Sequence, residues 1–370
     1  MSTQQDAIPV SAAPARSGPE SEQPRVRKSG RGSRKRILWL LGRLAAIPIS
    51  LFFVVTISFA VTNMAPGDPA QVVAGPVASP EQVEAVRHEL GLDRSLMDRY
   101  KSYVLDLRHG DLGNSYYSKR PVIEELRRAL PNTIELVLPA LVVSVVLGLA
   151  MGGVAGYYRS RAIDRGSRAL ISFTQSIPDF LAGLLMIYVF FAVLNIVPSP
   201  VGRLGITEAP TATRTNFQYV DSILNGDWVT LNSLIAHGLV PTLALGIVYS
   251  AYFAKTTRSV LRKELDSKYV EFARSCGIPE RQVFGYALRV GRTQLLTYAA
   301  ILFGGLVGGT AIIEIVFSWR GVGAWGLDGI MRLDLPVVQA FILFSGLVTL
   351  ATYLTLDIVT GILDPRISRG

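Results

Sequence analysis

Cysteine and histidine are almost missing from this 370-residue chain, which has one of the first, Cys276, and three of the second, His88, His109 and His237. A lone cysteine excludes an internal disulfide framework, and three scattered histidines without ligand spacing exclude a dedicated zinc site. Charge is scarce too. Only 18% of residues are charged, 49% are hydrophobic and mean hydropathy is +0.35, too apolar for a string of soluble domains. What the chain has in quantity is long apolar runs, so it reads as a membrane protein.

A hydrocarbon core of ~30 Å needs about 20 apolar residues in helical form. Six windows meet that length, near Leu44–Met64, Ile134–Tyr158, Ala169–Val197, Leu234–Ala254, Leu295–Phe317 and Val337–Leu363. None alternates with a β-barrel period, so the fold class is all-α and polytopic. Residues 1–36 read as a disordered basic cytoplasmic tail and residues 37–370 as the transmembrane domain. The apolar run behind the basic cluster is too long for a signal peptide and has no small-residue cleavage site.

The +9 net charge is explained by where it lies. Seven Lys and Arg residues fall between Arg25 and Arg36, four in the loop after span two, nine in residues 255–294, and Arg366 and Arg369 at the end, against four in the two short loops opposite. The positive-inside rule puts both termini in the cytoplasm and assigns the charge to anionic lipid rather than nucleic acid. The remaining loop, residues 65–132, has nine basic and ten acidic residues and is long enough to cross regardless of its charge.

That external loop is punctuated for structure. Ser79, Pro80 and Gln82 predict a capped helix that Gly91 stops, and a second helix is predicted from Ser95 to before Gly110. Together they are either a docking lid or a cap over the spans. The external loop at residues 198–232 has an aromatic and acidic patch of Phe217, Tyr219, Asp221, Asp227 and Trp228. It is either a contact for a soluble receptor or decoration.

Two nucleotide-like patterns fail on context. Gly321 to Gly326 fits G-x-G-x-x-G without the βαβ unit that a dinucleotide needs, and its glycines suit a tight re-entrant turn. Residues 285–293 lack the glycine spacing and lysine of a phosphate loop, so no ATPase or other catalytic residue is predicted here.

Residues 255–294 are too long for a hairpin. Helix formers run from Glu264 to Ser275, Gly277 stops them and Pro279 opens another helix. Such a bracket is either a handle for a soluble motor, since a push needs a rigid element, or a basic helix lying on lipid.

The run Tyr269-Val270-Glu271-Phe272-Ala273 followed by Gly277 resembles the E-A-A…G loop of binding-protein-dependent ABC importer permeases, in particular their dipeptide/oligopeptide/nickel branch. The resemblance extends through Pro66-Gly67-Asp68-Pro69, Gly110-Asp111-Leu112-Gly113-Asn114-Ser115, Ser176-Ile177-Pro178, Glu314 to Phe317, Trp319 and Asp364-Pro365-Arg366. Phe272 departs from the pattern, which has a small residue there, and Gln294 stands where a proline is common.

The resemblance implies a type I importer permease fold in a bacterial inner membrane, with Glu271, Phe272, Ala273 and Gly277 as the ATPase-coupling loop. It implies two cytoplasmic ATP-binding subunits, a second homologous permease chain forming a heterodimer, an extracytoplasmic solute-binding protein, and no cofactor on this chain. The expected cargo is a dipeptide or oligopeptide. Nickel or another small solute is the alternative within the family and an ion-coupled secondary transporter the alternative outside it; no clear internal repeat supports the latter.

Four acids fall in or at the edge of the spans, where a charge facing lipid costs about 3 kcal/mol. Glu135 is expected to complete a capping box with Asn132. Asp179, directly after Pro178, is expected to line the translocation pathway. Glu314 and Asp357 are expected to be interhelical polar partners. Gly304, Gly305, Gly308 and Gly309 form overlapping G-x-x-x-G pairs that predict close packing against a helix of this chain or of a partner.

Overall fold

The computed structural model describes residues 31–64, 66–158 and 160–363; the expected tail before residue 31 and the Asp364-Pro365-Arg366 motif lie outside the described residues. The first helices are α1 (Arg31–Met64), α2 (Pro69–Ala74), α3 (Pro80–Glu89), α4 (Leu96–Arg108), α5 (Val122–Tyr157), α6 (Arg161–Ser176) and α7 (Asp179–Met186), the last continuing as a π-helical stretch, Ile187–Val193. Then come α8 (Gln218–Asn225), α9 (Trp228–Leu265), α10 (Lys268–Ser275), α11 (Glu280–Gly309), α12 (Ala311–Val316), α13 (Val322–Met331) and α14 (Leu335–Leu363). Among the described residues there is no strand, only an isolated bridge between Asn114 and Pro121.

Five helices are long and apolar enough to cross a bilayer, and α6 with α7, bent by 92°, makes a sixth span if the pair is counted as one. The apolar windows mark only the lipid-crossing middle of each helix. Glu, Lys and Arg are good helix formers, so α5 begins 12 residues before its window and α9 runs for 38 residues, well past its own.

The extension of α5 overturns the capping box expected at Asn132 and Glu135. Both residues lie inside the helix, which runs through Pro131, and their side chains are bonded elsewhere. The turn expected at Gly321–Gly326 is likewise replaced by α13, whose glycines admit close neighbours. A Cβ on Gly326 would sit 2.3 Å from Phe341, and one on Gly329 2.4 Å from Val337.

Helices α5 and α9 form the centre of the bundle, and small residues spaced by four explain why. Gly148, Gly152 and Gly156 lie on one stripe of α5, and the backbone of α9 approaches all three. A Cβ on Gly152 would meet the Ala254 carbonyl at 2.5 Å and Thr257 at 2.6 Å. On Gly153, one residue on, it would meet only Phe284 at an ordinary 3.7 Å. Gly152→Ala should therefore cost about 3 kcal/mol by forcing α5 and α9 apart, whereas Gly153→Ala should be nearly neutral; chemical denaturation in detergent measures both.

By contrast, the G-x-x-x-G glycines of α11 divide, and a Cβ on Gly309 would lie 3.2 Å from the Tyr249 hydroxyl of α9. Gly304 faces Thr352 of α14 at 3.4 Å, but Gly305 and Gly308 have nothing within 4 Å.

Outside the spans, α3 and α4 form where the punctuation puts them. Ser79 and Gln82 exchange both capping-box bonds, Ser95 caps α4, and Gly91 and Gly110 take positive φ. Tyr100 and Tyr103 of α4 bond Thr56 and Ser58 of α1, each at 2.8 Å, so α4 packs against the first span. At the other end, Asp164 of α6 holds Arg258 and Arg262 of α9, both at 2.7 Å, and Arg168 at 3.2 Å. This cluster fixes where the bent span enters.

Candidate functional site

The bracket after α9 is more rigid than a loop. Residues 255–294 hold the end of α9, all of α10 and the start of α11, with only residues 266–267 and 276–279 outside helix. The helix expected from Glu264 starts instead at Lys268, because α9 continues to Leu265 and the chain turns at Asp266 and Ser267. Gly277 takes φ +74°, a conformation that disfavours side chains, and Pro279 caps α11.

One face of α10 is anchored and the other is bare. Val270 and Ala273 are buried against Leu261, Leu265, Val283 and Ala287. Arg274 pairs with Glu280 at 2.7 Å, which holds its guanidinium firmly protonated. Burial, together with a bond to Glu264, pushes the Tyr269 phenol above its ordinary range. On the outer face Glu271, Ser275, Cys276 and Gly277 are exposed, and Phe272 is 71% exposed. Phe272, the departure from the family pattern, is thus an aromatic knob on a braced helix.

The bent span places Pro178 and Asp179 at its corner. Pro178 is exposed and Asp179 half-buried, accepting only the adjacent Phe180 N–H, at 2.8 Å. Among the described residues Asp179 has no ion-pair partner. The other acids are bonded. Glu314 is fully buried and accepts from the Thr133 hydroxyl at 2.7 Å, the Thr310 hydroxyl at 3.0 Å and the Ala324 N–H at 2.8 Å. Those bonds join α5, α12 and α13, and Gly321 must be glycine because a Cβ there would lie 2.3 Å from the Glu314 carboxylate. Asp357 is half-buried on α14, and the Thr360 hydroxyl bonds its carbonyl at 3.2 Å.

A second polar cluster had no signal strong enough to find it in the sequence. Arg203, counted there only as a loop charge, is 8% exposed and donates to Glu135 and to the Asn132 side chain. The Tyr219 N–H supplies Glu135 with another bond at 2.8 Å. The guanidinium lies 5.0 Å from the Trp319 ring and 5.8 Å from the Tyr219 ring, and the Trp319 indole donates to the Asn132 carbonyl at 2.7 Å. This knot fastens the 198–232 loop to α5 and to the turn before α13. That loop does not present the acidic patch that its composition suggests. Asp221 is 1% exposed and bonds Thr215, while Asp227 caps α9. Among the described residues no group of three His, Cys, Asp or Glu side chains is placed to hold a metal ion.

A helical bundle with a close-packed central pair, one bent span with an uncompensated acid at its corner, and a braced helical bracket at one end is a polytopic membrane permease component. The family model described as the inner membrane component of binding-protein-dependent transport systems matches residues 144–369, and the model for that component's N-terminal part matches residues 36–137. Similar proteins include a probable D,D-dipeptide transport system permease of Escherichia coli strain K12, 35% identical over 86% of this chain and 93% of its own. A di/tripeptide transport system permease of Pseudomonas aeruginosa strain UCBPP-PA14 is 34% identical over 90% and 99%, and a dipeptide transport system permease of E. coli K12 is 30% identical over 89% and 98%. The chain belongs to the family of inner-membrane components of binding-protein-dependent transport systems.

Proposed function

We propose that the chain is one of two permease subunits of an ATP-driven importer that carries short peptides into a bacterial cell across its inner membrane, with both termini in the cytoplasm. The observation that carries this reading is the bare face of α10 on its braced support, in a chain whose relatives are named as peptide permeases. An ATP-binding subunit grips Glu271, Phe272 and Gly277 while buried Ala273 anchors the helix. A second ATP-binding subunit does the same on a homologous permease chain. A solute-binding protein delivers the peptide to the outer face, closure of the ATP-binding pair draws the two brackets together, and the cavity between the permeases opens inward. Pro178 and Asp179 line that cavity, while Glu314 and Asp357 fasten helices around it.

Gly277→Val tests the coupling. A β-branched residue at φ +74° costs about 1–2 kcal/mol locally, and no neighbour lies within 4 Å to clash. The chain should still insert and fold, but α10 should be misdirected, so that ATP-dependent dipeptide uptake by the reconstituted complex falls severalfold. Dipeptide uptake that continues without ATP hydrolysis would contradict the reading and favour ion coupling.

A further inference from the structure

The end of the bundle opposite the bracket has a pocket rich in arginine. Tyr157, at one end of α5, packs against the cluster that braces α10. Asn132, 25 residues or about 38 Å of helical rise away on the same helix, lines the pocket. The pocket lies between the first turns of α5, the loop at residues 115–120 and α13, and encloses 550 Å³. Its charged lining is four arginines, Arg120, Arg128, Arg320 and Arg332, and three acids, Glu125, Asp328 and Asp334.

The acids are all engaged in the fold. Glu125 accepts from the Trp325 indole at 2.9 Å and the Ser118 hydroxyl at 2.6 Å. Asp334, 3% exposed, accepts from the Ser115 hydroxyl at 2.6 Å and the Tyr116 N–H at 3.1 Å, and Asp328 pairs with Arg332 at 2.8 Å. The other arginines are not engaged in this way. Among the described residues the guanidiniums of Arg120 and Arg320 have neither a hydrogen-bond nor an ion-pair partner, and Arg128 meets only Glu124, outside the pocket, at 3.8 Å. All three are exposed. The pocket thus presents unpaired cations and no unpaired acid, a combination that selects an anion. Its rim has the composition of a protein contact. Tyr117 is 70% exposed with the Arg332 guanidinium 4.1 Å from its ring, and Met331 beside it is 78% exposed. Tyrosine, arginine and methionine are the residues that protein interfaces concentrate, and a ring already held by a stacked guanidinium loses little freedom on contact.

We infer that this pocket is the docking point for acidic side chains of the solute-binding protein, with Arg120 and Arg320 taking carboxylates and Tyr117 and Met331 packing around them. The assignment rests on the importer reading, which puts this end of the bundle outside the cell, and deepens it by naming the face and the charge of the contact. The pocket precedes the apolar window of α5, which opens at Ile134, so it stands clear of the hydrocarbon where a soluble protein reaches it. The surfaces that composition marks for a soluble receptor are otherwise occupied. Tyr100 and Tyr103 of α4 bond α1, and in the 198–232 loop Asp221 is buried and Asp227 caps α9.

The test titrates the full complex in proteoliposomes with dialanine-loaded solute-binding protein and reads stimulated ATP hydrolysis. Arg120→Gln and Arg320→Gln should each raise the half-stimulating concentration about fivefold at low salt, the upper worth of an exposed ion pair. Maximal rates, and basal rates without binding protein, should match wild type, because both side chains are exposed and far from the bracket. Added salt should weaken wild type more than the double variant, and Arg120→Lys with Arg320→Lys should recover most of the affinity. An unchanged half-stimulating concentration overturns the assignment. A lower maximum at an unchanged concentration overturns it too, since the arginines would then act on the peptide after delivery, and leaves the importer reading intact. A wild-type complex that no binding protein stimulates overturns both.

Discussion

Arg203→Met is expected to destabilise the protein by about 3–5 kcal/mol, because it strands the Glu135 carboxylate in a buried site. Glu135 is 7% exposed, its other bond comes from the Tyr219 N–H, and a lone carboxylate there has neither water nor a cation. Glu135→Leu should cost a similar amount by stranding the guanidinium, whose Nε already lacks a partner. The double variant should be more stable than either single one, since neither charge is then left alone. Tryptophan fluorescence follows the unfolding, because Trp319 is 1% exposed and stacks on Arg203. A double variant whose loss equals the sum of the two single losses would show that the pair is not coupled.

Phe272→Asp is expected to reduce ATP-dependent uptake at least tenfold while leaving this chain's own stability within about 0.5 kcal/mol of wild type, as for an ordinary exposed site. Phe272 is 71% exposed and points away from the cluster that braces α10. The aspartate should therefore act only where a partner buries the ring. Ala273→Leu, one position on, makes the reverse case. Ala273 is 7% exposed against Leu261 and Val283, so the added volume should unseat the helix and cost about 1–3 kcal/mol. Copurification of the ATP-binding subunits separates the two. Phe272→Asp should release them from a folded permease, and Ala273→Leu should weaken both the fold and the association.

The sequence disclosed what depends on local chemistry. Apolar runs marked the spans, Ser79 with Gln82 marked α3, and Gly277 with Pro279 marked the reversal in the bracket, because each is decided within a few residues. It concealed what depends on distant partners. Asn132 and Glu135 have the spacing of a capping box, but Arg203, 68 residues on from Glu135, takes both side chains, and the helix runs past them. Arg203 itself looks like any loop arginine until the chain brings Trp319 beneath it. Of the G-x-x-x-G pairs of α11 only Gly304 and Gly309 meet helices of this chain, whereas the tightest stripe is Gly148, Gly152 and Gly156 of α5. Spacing alone does not say which small-residue face finds a partner. Asp179 is conspicuous because an acid after a proline in an apolar run is rare; that it sits at the corner of a span bent by 92° required the fold.

On the proposed function, α10 is the handle through which ATP-binding subunits drive this permease. Cys276, the chain's one cysteine, is exposed at the end of that helix and reports on it directly. A short bifunctional thiol-reactive crosslinker applied to the native complex should join Cys276 to an ATP-binding subunit, and nucleotide should change the yield. Crosslinks confined to lipid or to this chain, unchanged by nucleotide, would contradict the account.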